Sequence, residues 1–439
     1  MPAILILLAL FLPAAPAARG QDTYLPPTNE MLGVIDTIII SGNERTKDYV
    51  ILDEMTLKPD SALTLKAVEF DRNRIYSLGL FTRVDMFYDS LDGTRFLNVD
   101  VGERLYLIPV PLFGFRDGDT KKPFFGAGLL HNNVGGRNQK LFASVVLGYN
   151  PSASIFFSDP LIDRTHNLFF SGNLFYSRVR NRSQIASEIT GDFDELHYGG
   201  DLTVGKRLSL YEATNITIGY NTVRVEDYEP GRTVSSSGRD NFLFATLGYA
   251  YDSRDLREYA SMGTFASLYL TKYGFGESKL SYTRFGTDLR RYTPIPYNLV
   301  LVARVFGSYV SGGLVPTYAR TYFGYGERIR GHFNTVFEGE NLAGSTIELR
   351  YPLIGPRTFL FTALPLPAEF SVWRFGMSLE LFADAGATWF ANKVQWNSFA
   401  AGYGGGVVFL LPYGYVVSTE YAFNEYRKGQ FILDLRGSI

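Results

Sequence analysis

Residues able to do chemistry are sparse in this chain, and their spacing points away from catalysis. There is no cysteine, which removes thiolate nucleophiles, disulfides and thiolate metal sites. The four histidines, His131, His166, His197 and His332, are scattered without metal-type spacing, and no nucleophile elbow or phosphate-binding loop is present. Gly324-Tyr325-Gly326 lacks the third glycine and the following helix of a dinucleotide fingerprint. What remains is a set of charges. Arg330 lies between Ile329 and Gly331, with Phe333 just beyond, in the stretch Gly312–Gly344 that shows no strand-like alternation. Glu348, Glu380 and Asp384 follow it. Two carboxylates can form a glycosidase pair, but a guanidinium fork can instead bind carboxylates bidentately, as a lysine cannot. Which applies depends on where these side chains point, and the flanking elements set that.

From Arg104 onward the sequence divides into about sixteen segments of strand length, an even number as bacterial single-chain barrels have. They begin near residues 104, 124, 139, 152, 166, 195, 214, 241, 263, 280, 298, 344, 374, 399, 414 and 430. Leu299, Leu301, Ala303 and Val305 share one face and Arg304 the other. Phe431, Leu433 and Leu435 alternate with Asp434 and Arg436. A soluble sandwich also alternates; the aromatic content of 15% and the number of segments favour a transmembrane antiparallel β-barrel. Connections near 180–194, 228–240 and 313–343 are long and those near 134–138, 160–165, 209–213, 293–297 and 411–413 short, the two-sided pattern of outer-membrane barrels. The apolar connection 353–373 breaks the rule, being long where a short turn is expected. Alternation turns Thr346, Glu348 and Arg350 inward opposite Ile347, Leu349 and Tyr351, and turns Glu380 and Asp384 inward opposite Leu379, Leu381 and Ala383. The carboxylates therefore face a lumen, within reach of Arg330. A solvated surface loop is the alternative for that arginine.

Ahead of the barrel, residues 1–20 read as a secretory signal with an apolar core over Ile4–Leu12, too short for a spanning anchor. Residues 33–103 form a small α/β unit. Val34–Ile40 is a strand, Thr46 caps a helix running to about Met55, and a second helix spans Leu65–Leu78. Strands Val84–Tyr88 and Phe96–Val101 join across Asp92-Gly93. A net charge of −2 gives no electrostatic case for nucleic acid.

This β-α-α-β-β order, with Ile38-Ile39-Ile40-Ser41-Gly42-Asn43 and Leu78-Gly79-Leu80-Phe81, resembles a polypeptide-transport-associated (POTRA) domain. Ile329-Arg330-Gly331-His332-Phe333 resembles the loop motif of the outer-membrane assembly-factor, or bacterial surface antigen, superfamily. In that motif an aromatic usually follows the glycine directly, whereas here His332 intervenes. Glu348-Leu349-Arg350-Tyr351-Pro352 and Phe382-Ala383-Asp384-Ala385-Gly386 look like its strand-twelve and strand-thirteen motifs, and Tyr251-Asp252-Ser253-Arg254-Asp255 like another at the periplasmic end of strand eight.

The resemblance implies one periplasmic POTRA domain (33–103) before a sixteen-stranded outer-membrane barrel (104–439). Arg330 would hold the loop in the lumen through Asp384 and Glu348, and a lateral seam would lie between Arg104–Phe113 and Gln430–Ile439. The implied activity is assembly of outer-membrane proteins or translocation of polypeptides, without cofactor, metal or enzymatic step. The implied partners are outer-membrane lipid, unfolded client polypeptides and periplasmic accessory proteins. A passive pore or structural barrel is the competing reading.

Overall fold

The computed structural model describes residues 31–116, 120–275, 279–360, 371–391, 399–411 and 415–437. The expected signal segment 1–20 lies outside the described residues. In the N-terminal domain, β1 (Met31–Val34) pairs with β3 (Ala62–Thr64), and β2 (Thr37–Ser41), β4 (Phe81–Leu91) and β5 (Thr94–Glu103) form a sheet in the order β2-β5-β4. β2 runs parallel to β5, and β4 and β5 form a hairpin across Asp92-Gly93, both at positive φ as a tight primed turn requires. Two helices, Asp48–Leu52 and Leu65–Tyr76, cover the sheet. Both are shorter than the sequence suggests. Thr46 does not cap the first; it is buried, and its hydroxyl meets that of Tyr106 at 3.0 Å. Thr64 caps the second through the Ala67 N–H. Leu65, expected on the apolar stripe, is exposed, and Asp71, Asn73 and Arg74 are buried in its place. Ile35, Ile51, Leu63, Ile75, Leu80, Phe81, Leu97 and Val99 make the domain's apolar core.

The rest is one sixteen-stranded sheet in which neighbours in sequence are neighbours in space, all antiparallel. Its strands are β6 (Leu107–Phe115), β7 (Pro123–Val134), β8 (Gln139–Gly148), β9 (Ser152–Asp163), β10 (Leu168–Arg180), β11 (Asp194–Arg207), β12 (Glu212–Val225) and β13 (Arg239–Asp252). There follow β14 (Gly263–Tyr273), β15 (Tyr282–Ile295), β16 (Leu299–Gly312), β19 (Asn341–Leu360), β20 (Val372–Trp389), β21 (Ala400–Leu410), β22 (Tyr415–Asn424) and β23 (Gly429–Gly437). The small pair β17 (Thr321–Phe323) and β18 (Phe337–Gly339) stands apart, inside the 313–340 connection. The sheet is inverted relative to a soluble protein: Leu141, Val145, Leu147, Val305, Leu381, Phe431 and Leu435 are exposed outward, while Arg284, Glu348, Glu380, Asp384 and Glu420 are buried inside. Apolar outside and polar inside is the pattern a lipid-embedded barrel demands. No helix among the described residues is long and apolar enough to cross a membrane.

The described ends of the connection 353–373 are strand, as far as Leu360 on one side and from Val372 on the other. β19 and β20 run on as a hairpin past their neighbours, pairing Ile354 with Met377, Arg357 with Phe375 and Leu360 with Val372, with register shifts on either side of Ile354. Pro352 and Pro356 interrupt the alternation there, so the strand is not evident from pattern.

Candidate functional site: an arginine held by four lumenal carboxylates

Residues Gly324–Phe333 fold back from the far rim, the one opposite the N-terminal domain, and lie against the inner wall built by β19 to β23. Arg330 is the centre of this contact, with 6% of its surface exposed. Its Nε and Nη2 donate to the two oxygens of Asp384 at 2.7 and 2.8 Å, the bidentate fork, and its backbone N–H donates to the same carboxylate at 3.1 Å. Nη2 also reaches Glu348 at 2.9 Å and Nη1 reaches Glu380 at 3.2 Å. Glu420 stands 3.9 Å from Nη1. The guanidinium carbon sits 3.6 Å from the centroid of the Phe382 ring, so the fork also lies over an aromatic face. Beside this lock is a cavity of about 220 Å³, lined among others by Tyr259, Arg350, Glu380 and Glu420.

The backbone fits as closely as the charges do. Gly331 has φ +100°, and a Cβ there would fall 2.7 Å from the Phe423 carbonyl oxygen. On the wall, a Cβ at Gly402 would lie 1.4 Å from the Arg330 carbonyl oxygen, and one at Gly386 would lie 2.5 Å from the Phe323 ring. Glycine on both surfaces lets loop and barrel touch through main chain. Ile329 is buried with Phe306, Phe323 and Leu342, and Phe333 packs on Phe382, Ala422 and Ile432. The extra residue His332 points to Glu425, Nε2 to Oε2 2.6 Å.

Three further contacts were not legible from the motifs. With its amide turned so that both of its atoms are satisfied, Gln430 of the last strand accepts from the N–H groups of Gly331, His332 and Phe333 at 3.1, 3.2 and 2.8 Å. Its parity with the inward Ile432 was the available signal. Lumenal Arg304 binds Glu327 of the loop through two bonds of 2.8 and 2.9 Å while also holding Asp288. Glu420 shares the inward face of β22 with Ser418 and Ala422, and alternation alone identifies it.

The other motif residues lie elsewhere. Arg350 donates to Glu348 at 2.9 Å and stacks 4.3 Å from Tyr259, so it braces one lock carboxylate from below. Pro352 marks the start of the hairpin extension. Asp252 and Arg254 pair bidentately at 2.8 and 3.0 Å at the near rim. Asp255 is buried in the same turn and accepts from the N–H groups of Ser261 and Met262. Burial pushes its carboxyl up from the ordinary range, against those bonds. Among the described residues no hydrogen bond or ion pair joins this turn to the loop. The turn meets the N-terminal domain instead: Arg74 donates to the Asp252 carbonyl at 3.3 Å, and Leu256 joins that domain's core.

The N-terminal domain contacts the near rim at many points around its circumference. Lys47 N–H bonds Gly136 O at 2.9 Å, Asn133 donates to Thr46 at 2.9 Å, and Asn132 donates to Gly79 O at 3.0 Å. Arg207 pairs with Glu54 at 2.9 Å, and Arg374 donates to Asn73 at 2.6 Å. Leu410 completes the domain's core from the far side of the rim. At the other end the long connections interlock. Glu338 accepts from Ser183 and pairs with Arg320, Tyr318 donates to Asp240 at 2.7 Å, and Arg232 lies 3.9 Å over Phe193.

A family model described as the Omp85 superfamily domain matches residues 133–432, and one described as a surface antigen variable number repeat (POTRA) matches residues 33–104. The outer membrane protein assembly factor BamA of Neorickettsia risticii is 28% identical over 253 residues, 55% of this chain and 31% of that protein. The chain thus spans about a third of the length of that relative. Among solved structures, BamA from Haemophilus ducreyi lacking POTRA domains 1–3 superposes with a TM-score of 0.56 at 15% identity, over 92% of this chain and 83% of the other. CdiB from Acinetobacter baumannii gives 0.50 at 16% identity, over 92% and 73%. At such identities these two likenesses speak for the fold alone.

Proposed function

The chain belongs to the Omp85 superfamily, as a bacterial outer-membrane barrel with a periplasmic POTRA domain, and from that premise we propose that it assembles or translocates client polypeptides by opening laterally between β6 and β23. Family membership supports assembly or translocation in general. The finer reading rests on one observation: the sixteen-stranded sheet has β6 and β23 at its two ends, and no ladder joins them among the described residues. Strand edges cannot face hydrocarbon unpaired. A seam of two nine-residue strands is therefore a place where an incoming client strand can satisfy the edge in turn. The step needs no chemistry, only a lower barrier to bringing polar backbone into the bilayer.

The same architecture argues against a passive pore. The POTRA domain is bonded around the periplasmic mouth, and on the other side described parts of the extracellular connections interlock above the Arg330 loop. Client polypeptides would dock on the POTRA domain, whose sheet ends in the edge strands β2 and β4. The Arg330 loop would hold the lumen wall of β19–β23 in one arrangement while the seam opens.

Cysteine pairs placed across β6 and β23 test this directly, in a chain with no cysteine of its own. The crosslinked protein should lose assembly activity and regain it on reduction. Full activity in a quantitatively crosslinked protein would refute lateral opening.

A further inference from the structure

We propose that the extension of the β19–β20 hairpin is a membrane-contacting strap, whose inner face holds the POTRA domain and whose outer face rests in the headgroup layer of the periplasmic leaflet. Pairing of β16 with β19 ends at Val300–Arg350, and pairing of β20 with β21 begins at Gly376–Leu410. Beyond those points the hairpin runs alone, as far as the Leu360–Val372 pair. Its two faces differ. Inward, Arg374 is buried, donates to Asn73 at 2.6 Å and lies 4.3 Å from the Tyr76 ring, both residues of the second POTRA helix. Outward, Phe359 and Trp373 are direct cross-strand partners with rings 6.2 Å apart in an edge-to-face arrangement.

The occupant of the outer face is lipid because that face continues the lipid-facing wall. Along β20, Trp373 and Phe375 extend the outward series of Met377, Leu379 and Leu381, and Phe375 packs beside Phe409 of β21. On the partner strand Ile354 and Phe359, the cross-strand partners of Met377 and Trp373, are exposed on this same face. Met377, opposite Phe409 near the end of β21, marks the rim. Four residues separate it from Trp373, which at about 3.3 Å per residue and a tilt of about 40° is a drop of roughly 10 Å. The headgroup layer is about 5–8 Å thick on each side, so the Trp373 ring lies in or just beneath it, where tryptophan concentrates. Pro352 and Pro356 withhold two N–H groups from the strand, which blunts it as a template for a client strand and leaves its side-chain face as the binding surface. The strap thereby ties the POTRA domain to the bilayer plane as well as to the barrel, through the strand that carries Glu380 and Asp384.

Tryptophan fluorescence reads this out in the full chain. The protein has three tryptophans, and the double substitution Trp389→Phe and Trp396→Phe leaves Trp373 as the sole emitter. In phosphatidylcholine vesicles the emission should be blue-shifted and shielded from iodide. It should lose intensity in lipids brominated near the headgroup, and lose less when the bromines lie near the acyl-chain ends. Should that variant fold poorly, Phe359→Cys labelled with an environment-sensitive dye gives the same comparison, since Phe359 shares the outer face with Trp373. Red-shifted emission open to iodide and indifferent to bromine would overturn the proposal. Emission shielded from iodide yet indifferent to bromine would also overturn it, by showing that protein and not lipid covers the strap.

Discussion

Replacing Arg330 by alanine removes four side-chain hydrogen bonds, two to Asp384 and one each to Glu348 and Glu380. It leaves those carboxylates and Glu420, none more than 6% exposed, without their shared cation. Breaking a buried ion pair costs about 3–5 kcal/mol, because a charge is left behind unpaired. The cavity of about 220 Å³ beside the lock has room for water to hydrate the abandoned carboxylates, so the lower end, about 3 kcal/mol, applies here. At about 1.4 kcal/mol per decade this is roughly a hundredfold rise in the undocked loop population. Chymotrypsin added outside cells or vesicles can cut at Tyr322, Phe323, Tyr325 and Phe333 without depending on the altered residue. Its cleavage rate follows the open population when reclosing is fast. Cleavage of the variant should rise by about two orders of magnitude while heat-modifiable barrel still forms. Arg330→Lys should fall between, since an ammonium cannot span both oxygens of Asp384 and still reach Glu348. Equal resistance of wild type and Arg330→Ala would show that the contacts of Gln430, Glu327 and Phe333 hold the loop alone, and the arginine lock would be wrong.

Two further outcomes follow from the same geometry. Gly402→Ala leaves every lock charge in place but puts a methyl 1.4 Å from the Arg330 carbonyl; it should raise chymotrypsin cleavage as Arg330→Ala does, and unchanged cleavage would mean that loop and wall do not touch through backbone there. Removing residues 21–103 should leave a folded barrel with raised bilayer conductance and no assembly activity, because the domain is bonded around the periplasmic mouth; retained activity would refute its docking role.

The barrel was legible in sequence because its physics is periodic. A strand lining lipid on one side and a lumen on the other must alternate, and the starts of β8, β9 and β14 at Gln139, Ser152 and Gly263 fall where the pattern places them. Parity likewise turns Glu348, Glu380 and Asp384 inward without any structure. Parity says nothing about which distant residue arrives opposite. The bonds of Gln430 to three loop N–H groups and of Arg304 to Glu327 depend on how a long loop folds back, and no local period encodes that. The β19–β20 extension was hidden by two prolines and two register shifts. The short POTRA helices failed differently: Thr46 is drawn away from capping by Tyr106 and Asn133, a tertiary contact overriding a local preference.

Depletion of the protein from its own cells, followed by quantitation of outer-membrane barrel proteins, tests the assembly role most directly. The assembly role predicts that folded barrel proteins fall together in the outer membrane while their unfolded forms accumulate in the periplasm, and that wild-type protein restores them whereas a β6–β23 crosslinked form does not. An outer membrane with unchanged barrel content and only lowered permeability to small solutes would contradict it and leave a pore.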